Sequence, residues 1–225
     1  AADGGELLLD STVTRIDVAQ ADGAEPRAVR VHVERAGKAD VIACDQIVST
    51  IPLPHLVSAL APLPAAAGAP EEIAAARAAL RYIGIVFVYL EVDRSSVIPD
   101  HWVYLPGHEL TIHRITEFKN FSDANAPGNR TVVCCEITCR PGDARWRLSR
   151  DEAGAVAERD LRAIGLLDGA EARAIEIARL PQAYPVYDLA YAGHVGTLQR
   201  AAASVANLHT TGRQGLYRYN NMDHS

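Results

Sequence analysis

The chain has 225 residues, and its 22 Lys plus Arg against 28 Asp plus Glu give a net charge of −6. Hydrophobic residues at 48% and charged residues at 22% are ordinary globular values, enough for one large domain or two small ones with a sizeable core. No Lys/Arg cluster occurs, which argues against nucleic acid as the main partner, and no run of about 18 apolar residues predicts a membrane-spanning helix. The start, Ala1-Ala2-Asp3-Gly4-Gly5, lacks the charged and apolar regions of a signal peptide.

Leu7 to Val18 reads as strand, and Ala28 to Glu34 alternates with Val29, Val31 and Val33 on one face. Gly37 to Asp40 is a turn, and Val41 to Thr50 is one apolar run, so the start predicts a hairpin or meander. Prolines at 52, 54, 62, 64 and 70 then break regular structure, with helix resuming over His55 to Leu60. Pro70-Glu71-Glu72 opens a helix to about Leu80.

Arg81 to Val92 contains Ile83 to Leu90, a long β run buried on both faces. His101 to Leu105 and Leu110 to Glu117 are short strands, Phe118 to Arg130 a polar loop, and Thr131 to Cys139 another strand with Cys135 and Cys139 on one face. Cys44, Cys134, Cys135 and Cys139 fit no C-x-x-C metal spacing; they read as reduced, packed thiols, which suits a cytoplasmic location. Ser149-Arg150-Asp151-Glu152 has the form of a capping box, opening a helix to about Ile164 with Ala153, Val156, Ala157, Leu161 and Ile164 on one side. Ala174 to Arg179 is a strand, Gly193 to Ala206 a helix, and Asn207 to Thr211 a short strand leading into Gly212.

Four segments could carry chemistry. Gly212 and Gly215 permit backbone close to a ligand, Arg213 offers a planar set of donors, and Asn221-Met222-Asp223 could begin a helix with free amides; a tight turn with surface tyrosines is the alternative. Val48-Ser49-Thr50-Ile51-Pro52 is a strand end with hydroxyls to meet a ligand, or simply to cap the strand. Tyr184, Tyr187 and Tyr191 suit a small-molecule pocket or a half-buried loop. His113 and Arg114 lie on opposite faces of a strand, where a lone histidine is more often structural. The eight histidines form no metal constellation, and no G-x-S-x-G or G-x-x-x-x-G-K run occurs.

Taken in order, Val13-Thr14-Arg15-Ile16, Val48 to Pro54, Ala183-Tyr184-Pro185 and Gly212-Arg213-Gln214-Gly215 through Tyr219-Asn220-Asn221-Met222-Asp223 resemble the carboxy-terminal part of FAD-dependent oxidoreductases of the amine oxidase and protoporphyrinogen oxidase type. The last motif is most similar to the UDP-galactopyranose mutase branch. The resemblance implies a mixed α+β fold: part of an FAD/NAD(P)-binding fold over 1–64 and 201–225, and a substrate domain with a mixed or antiparallel sheet and flanking helices over 65–200.

It implies FAD as cofactor and a small-molecule substrate oxidised by hydride transfer, with UDP-galactopyranose isomerisation as the second reading and a non-catalytic interaction module as the third. Val13 would give backbone contacts to the adenine, and Thr50, Ile51 and Pro52 would line the flavin cleft. Gly212, Arg213, Asn221, Met222 and Asp223 would face the flavin ring, and Tyr184, Tyr187 and Tyr219 the substrate. No residue stands out as a general base. The chain departs from the family in having no G-x-G-x-x-G run, and Asn221 stands where the mutases carry an acid. It therefore reads as a carboxy-terminal piece, inactive alone, whose open sheet edges leave room for oligomers.

Overall fold

A computed structural model describes residues 4–221. The chain forms two compact units, one of residues 4–81 with 185–221 and the other of residues 82–184. Residues 65–81 and 185–200, expected with the middle block, pack in the first unit.

The first unit begins with a meander: β1 (Ser11–Ala19), β2 (Arg27–Arg35) and β3 (Lys38–Ala43) are antiparallel neighbours. The single run expected over Val41 to Thr50 is instead two strands in two sheets. Cys44-Asp45-Gln46 interrupts it, and β4 (Ile47–Ser49) starts anew. Asn207 holds this interruption: its side-chain amide donates to Asp45 O and Ala28 O, each at 2.8 Å. Pro52 then ends strand geometry, and α1 (Leu53–Ala59) follows with Leu53, Leu56 and Val57 buried. β5 (Leu60–Ala61) adds to β1 in parallel, and α2 (Pro70–Ala79) opens on Pro70 with Glu71 and Glu72 in its first turn, where the helix dipole favours acids.

The second unit is a five-stranded sheet with one helix on its apolar face. β6 (Tyr82–Val92), β7 (Trp102–Tyr104), β8 (Arg114–Glu117) and β9 (Thr131–Cys139) fall in the sheet order β6-β9-β8-β7, all antiparallel. As expected, β6 is apolar on both sides through Leu90: Ile85 is buried and Phe87 and Tyr89 are half-buried on the face opposite Val86 and Val88. Val86, Val88, Leu90 and Val92 join Val133, Cys135 and Ile137 on the core face. On that face lies α3 (Arg150–Ala163), with Ala153, Ala157 and Leu161 fully buried; each large apolar side chain sealed in this way contributes about 2 kcal/mol.

The capping box of α3 is present in full: Ser149 Oγ accepts from Glu152 N at 3.3 Å, and Ser149 N donates to Glu152 Oε2 at 2.8 Å. Ile164, expected on the buried side, has left the helix and is exposed. The edge strand β10 (Ala172–Pro185) is much longer than the expected Ala174 to Arg179 and includes Gln182, Ala183 and Tyr184. Gly154 lets α3 approach it, since a Cβ there would lie 2.6 Å from Ala174 Cβ. All four cysteines are free thiols, and burial pushes Cys134 up to about 12.

The chain returns to the first unit through α4 (Tyr191–Ala203), β11 (Leu208–Thr210) and the short helix α5 (Gly212–Gly215). α5 stands where a loop was expected. Among the described residues there are five α-helices and several sheets, a mixed α+β fold, and no helix is long and apolar enough to cross a membrane.

Candidate functional site

Two of the expected motifs meet at one seam of the first unit. β11 pairs with β4 in parallel, with Leu208 opposite Ile47 and Thr210 opposite Ser49, so both carboxyl ends emerge side by side. Thr211 N donates to Ser49 O at 2.9 Å and closes the seam. Thr50-Ile51-Pro52 leaves one strand and Gly212-Arg213-Gln214-Gly215 the other. The crevice outside the carboxyl ends of parallel strands is where open α/β sheets bind ligands.

The glycines shape this junction. Gly212 has φ +77°, a backbone conformation that side chains rarely adopt, and a Cβ there would make ordinary contact, 3.7 Å from Thr50 Cβ. At Gly215 a Cβ would lie 2.7 Å from Thr210 Oγ1 and 3.1 Å from Ser49 O. Thr210 Oγ1 donates to Gly215 O at 2.9 Å, which folds α5 back over the strand end. Ser49 is buried at the seam, and its Oγ has no hydrogen-bond partner among the described residues, a costly state for a hydroxyl.

Arg213 is held by the segment that follows α5. Its Nε and Nη2 donate to Asn220 O at 3.1 and 2.7 Å, and its guanidinium lies 4.6 Å from the centre of the Tyr219 ring. Tyr219 N donates to Tyr187 Oη at 2.6 Å. Arg213, Tyr219 and Tyr187 are thus one assembly, and both tyrosine rings are about half exposed, Tyr187 at 47% and Tyr219 at 54%. Between them Tyr217 is sealed in, at φ +49°; its hydroxyl donates to Arg81 O at 2.6 Å and accepts from Arg81 N at 3.1 Å. Burial raises the Tyr217 phenol above its ordinary value despite those bonds.

The remaining expected residues are more scattered. Val13 lies in the meander, paired with Val33. Asn221 is exposed just beyond Asn220, while Met222 and Asp223 lie outside the described residues. Tyr184 ends β10 in the second unit.

That second unit has a polar cluster which the sequence reading missed in part. Strand register sets Tyr104, Arg114, Glu136 and Phe87 opposite one another on the sheet face away from α3. Glu136 Oε1 accepts from Arg114 Nε at 2.8 Å and from Arg114 Nη2. Burial works to lower the Arg114 guanidinium, and the bound Glu136 more than offsets it, leaving Arg114 above its usual value. His113, expected on the opposite face of a strand from Arg114, instead lies just before β8 and meets the same residue: its Nδ1 lies 2.9 Å from Glu136 O and its Nε2 3.7 Å from Glu136 Oε2. One carboxylate in an otherwise apolar strand was the available signal.

The wider hollow of about 700 Å³ beside α3 and β10 is ringed by charges that satisfy one another. Arg150 meets Asp151 at 3.2 Å, Glu158 meets Arg162 at 2.7 Å, and Arg173 meets Glu91 at 2.8 Å. Among the described residues no cluster could hold a metal ion.

The sequence pattern of the flavin containing amine oxidoreductases matches residues 1–217, nearly the whole chain. The chain belongs to that family. No curated protein matches it. Among solved structures, reduced UDP-galactopyranose mutase superposes with a TM-score of 0.72 at 19% identity, over 95% of this chain and 43% of that one. An Exiguobacterium sp. 255-15 protein assigned to the protoporphyrinogen oxidases gives 0.56 at 19% identity, over 91% and 42%. Putrescine oxidase bound to putrescine gives 0.54 at 16%, over 96% and 46%. At such identities the likeness is one of fold, and this chain spans less than half the length of these relatives.

The family implies a flavin, and the seam fits one wall of a flavin site. It has backbone kept bare by Gly212 and Gly215, hydroxyls at Ser49 and Thr50, and a guanidinium at Arg213.

Proposed function

We propose that these 225 residues are the ring-facing and substrate-facing part of an FAD-dependent oxidoreductase that oxidises a small molecule by hydride transfer. The observation that carries the reading is the β4–β11 seam, which brings Thr50-Ile51-Pro52 and Gly212-Arg213 to adjoining carboxyl ends although they are far apart in sequence. FAD, when bound, supplies the hydride acceptor.

The residues' own roles follow from their chemistry. Gly212 and Gly215 keep side-chain bulk out of the crevice. Thr50, Ile51 and Pro52 line it, and Arg213 supplies fixed positive charge toward an electron-rich ring edge. Asn221 extends that wall, and Val13 meets the adenine end. Tyr187, Tyr219 and Tyr184 hold the substrate through ring faces and hydroxyls. The proposed location is the cytoplasm.

A mutase-like reading, isomerisation of a nucleotide sugar such as UDP-galactopyranose, is favoured by the superposition at TM-score 0.72. Turnover of UDP-galactopyranose under reducing conditions by a polypeptide carrying this chain would select it over oxidation.

The lead reading is tested by titrating FAD into the chain and following flavin fluorescence. Weak saturable quenching is expected, because the chain has no G-x-G-x-x-G turn for the pyrophosphate, and Arg213→Gln should weaken it further. A folded chain that leaves flavin fluorescence unchanged at every concentration refutes the assignment.

A further inference from the structure

The first unit also has a pocket of about 280 Å³ along the flank of α4, separate from the seam. Tyr191, Val195 and Gln199 line it at spacings of four, one face of the helix. Tyr187 and Tyr217 extend the wall: the Tyr187 and Tyr191 rings stand 4.6 Å apart, and Tyr217 meets Tyr187 edge-on at 6.2 Å. These rings touch, so nothing fits between them; what they offer the pocket is a continuous aromatic surface.

Two features of the pocket have no purpose within the chain. Gly196 lies inside α4, where glycine costs about 1 kcal/mol relative to alanine. A Cβ there would make only ordinary contact, 3.5 Å from Arg200 Nη1, so no packing within the chain requires glycine. Arg218 is exposed on the rim, and its guanidinium has no hydrogen bond or ion pair among the described residues. A bare floor, a wall of rings and an uncommitted guanidinium complement one kind of molecule. A planar ring lies along the tyrosines over Gly196, and an attached carboxylate is taken by the fork of Arg218.

We propose that this pocket binds an aromatic carboxylate. It shares Tyr187 with the proposed substrate wall and needs no flavin, so its test runs without one. The probe is 1-naphthoate, titrated into the chain by calorimetry. The controls are 1-naphthalenemethanol, which keeps the rings without the charge, cyclohexanecarboxylate, which keeps the charge without an aromatic ring, and inorganic phosphate.

Saturable one-to-one binding of 1-naphthoate, tighter than any control, is expected. Arg218→Gln should weaken it about tenfold, the loss of one charge-assisted pair, while leaving 1-naphthalenemethanol unchanged. Gly196→Leu should abolish it by filling the floor, with the thermal midpoint undiminished; if that variant does not fold, Arg218→Gln decides alone. No saturable binding, binding indifferent to Arg218, or phosphate binding in preference to the ring overturns the proposal. A failed FAD titration with 1-naphthoate still bound would sink the flavin reading and leave this one standing.

Discussion

Replacing glycine by alanine at two positions of the first unit should have opposite effects. At Gly215 the new methyl carbon would lie 2.7 Å from Thr210 Oγ1 and 3.1 Å from the carbonyl of Ser49. The hydroxyl can rotate away, giving up its bond to Gly215 O and about 1 kcal/mol. The carbonyl belongs to the strand seam and can retreat only if β4 moves, at an overpacking cost of about 1–3 kcal/mol. The stiffer unfolded chain returns about 0.5–1 kcal/mol, so Gly215→Ala should destabilise by about 2 kcal/mol. Gly196→Ala meets only Arg200 Nη1 at 3.5 Å and should stabilise by about 1 kcal/mol through helix propensity. In a chain of this size the first lowers the thermal midpoint by about 4–8 °C and the second raises it by about 2–4 °C, read by far-ultraviolet circular dichroism. Gly215→Ala should also weaken FAD quenching. A Gly215→Ala protein as stable as the parent would refute the claim that the seam is tight at that carbonyl.

Other outcomes follow from the second unit. Glu117 is fully buried, and its carboxylate accepts from Ile98 N at 2.7 Å, Val97 N at 3.0 Å and Thr131 Oγ1 at 2.6 Å. Glu117→Ala strands those donors and should cost about 4 kcal/mol, while Glu117→Gln, which keeps one acceptor oxygen, should cost about half as much; urea unfolding measures both, and a loss under about 1 kcal/mol for alanine would contradict the burial. His113 is held below its ordinary value of 6.5 mainly by burial, with Glu136 opposing. The unfolded chain therefore binds its proton first, so His113 contributes stability that is full above about pH 6.5 and is lost as pH falls toward the lower folded value. His113→Gln should flatten the denaturation midpoint across that window, and an unchanged slope would count against it. Asp17, kept well below the usual carboxylate range first by Arg15 and then by His32, acts in the same direction as pH falls below its ordinary 3.8.

Much of the fold could be read from local signals. The α3 capping box, the proline-led start of α2 and the strand at Thr131 to Cys139 are each written in a few adjacent residues, and each forms as expected. The errors share a cause. Val41 to Thr50 reads as one run because apolar residues flank Cys44-Asp45-Gln46, and the break there is held by a distant residue, Asn207. β10 runs past the expected end at Arg179 and through Pro181 as an edge, where a missing N–H is tolerated. Gly212 to Gly215 reads as a loop, and a short helix forms there with Thr210 Oγ1 donating to Gly215 O. At the site, the motifs were legible one by one. Their adjacency was not, since a parallel pair such as β4 and β11 is joined through a long crossover rather than a local turn. Glu136 was passed over because its partners Arg114 and His113 stand at another strand.

The buried hydroxyl of Tyr217 has a consequence for how the protein can be remodelled. It donates to Arg81 O, and Val186 N donates to the same carbonyl at 2.9 Å. Arg81 is where the chain leaves the first unit, and Val186 follows directly on its return. The two crossing strands of chain are therefore clasped at their base, and everything from Tyr82 to Tyr184 is a cassette spliced into a closed frame. Such a frame should tolerate exchange of its insert: a short linker across the clasp is expected to leave the first unit folded.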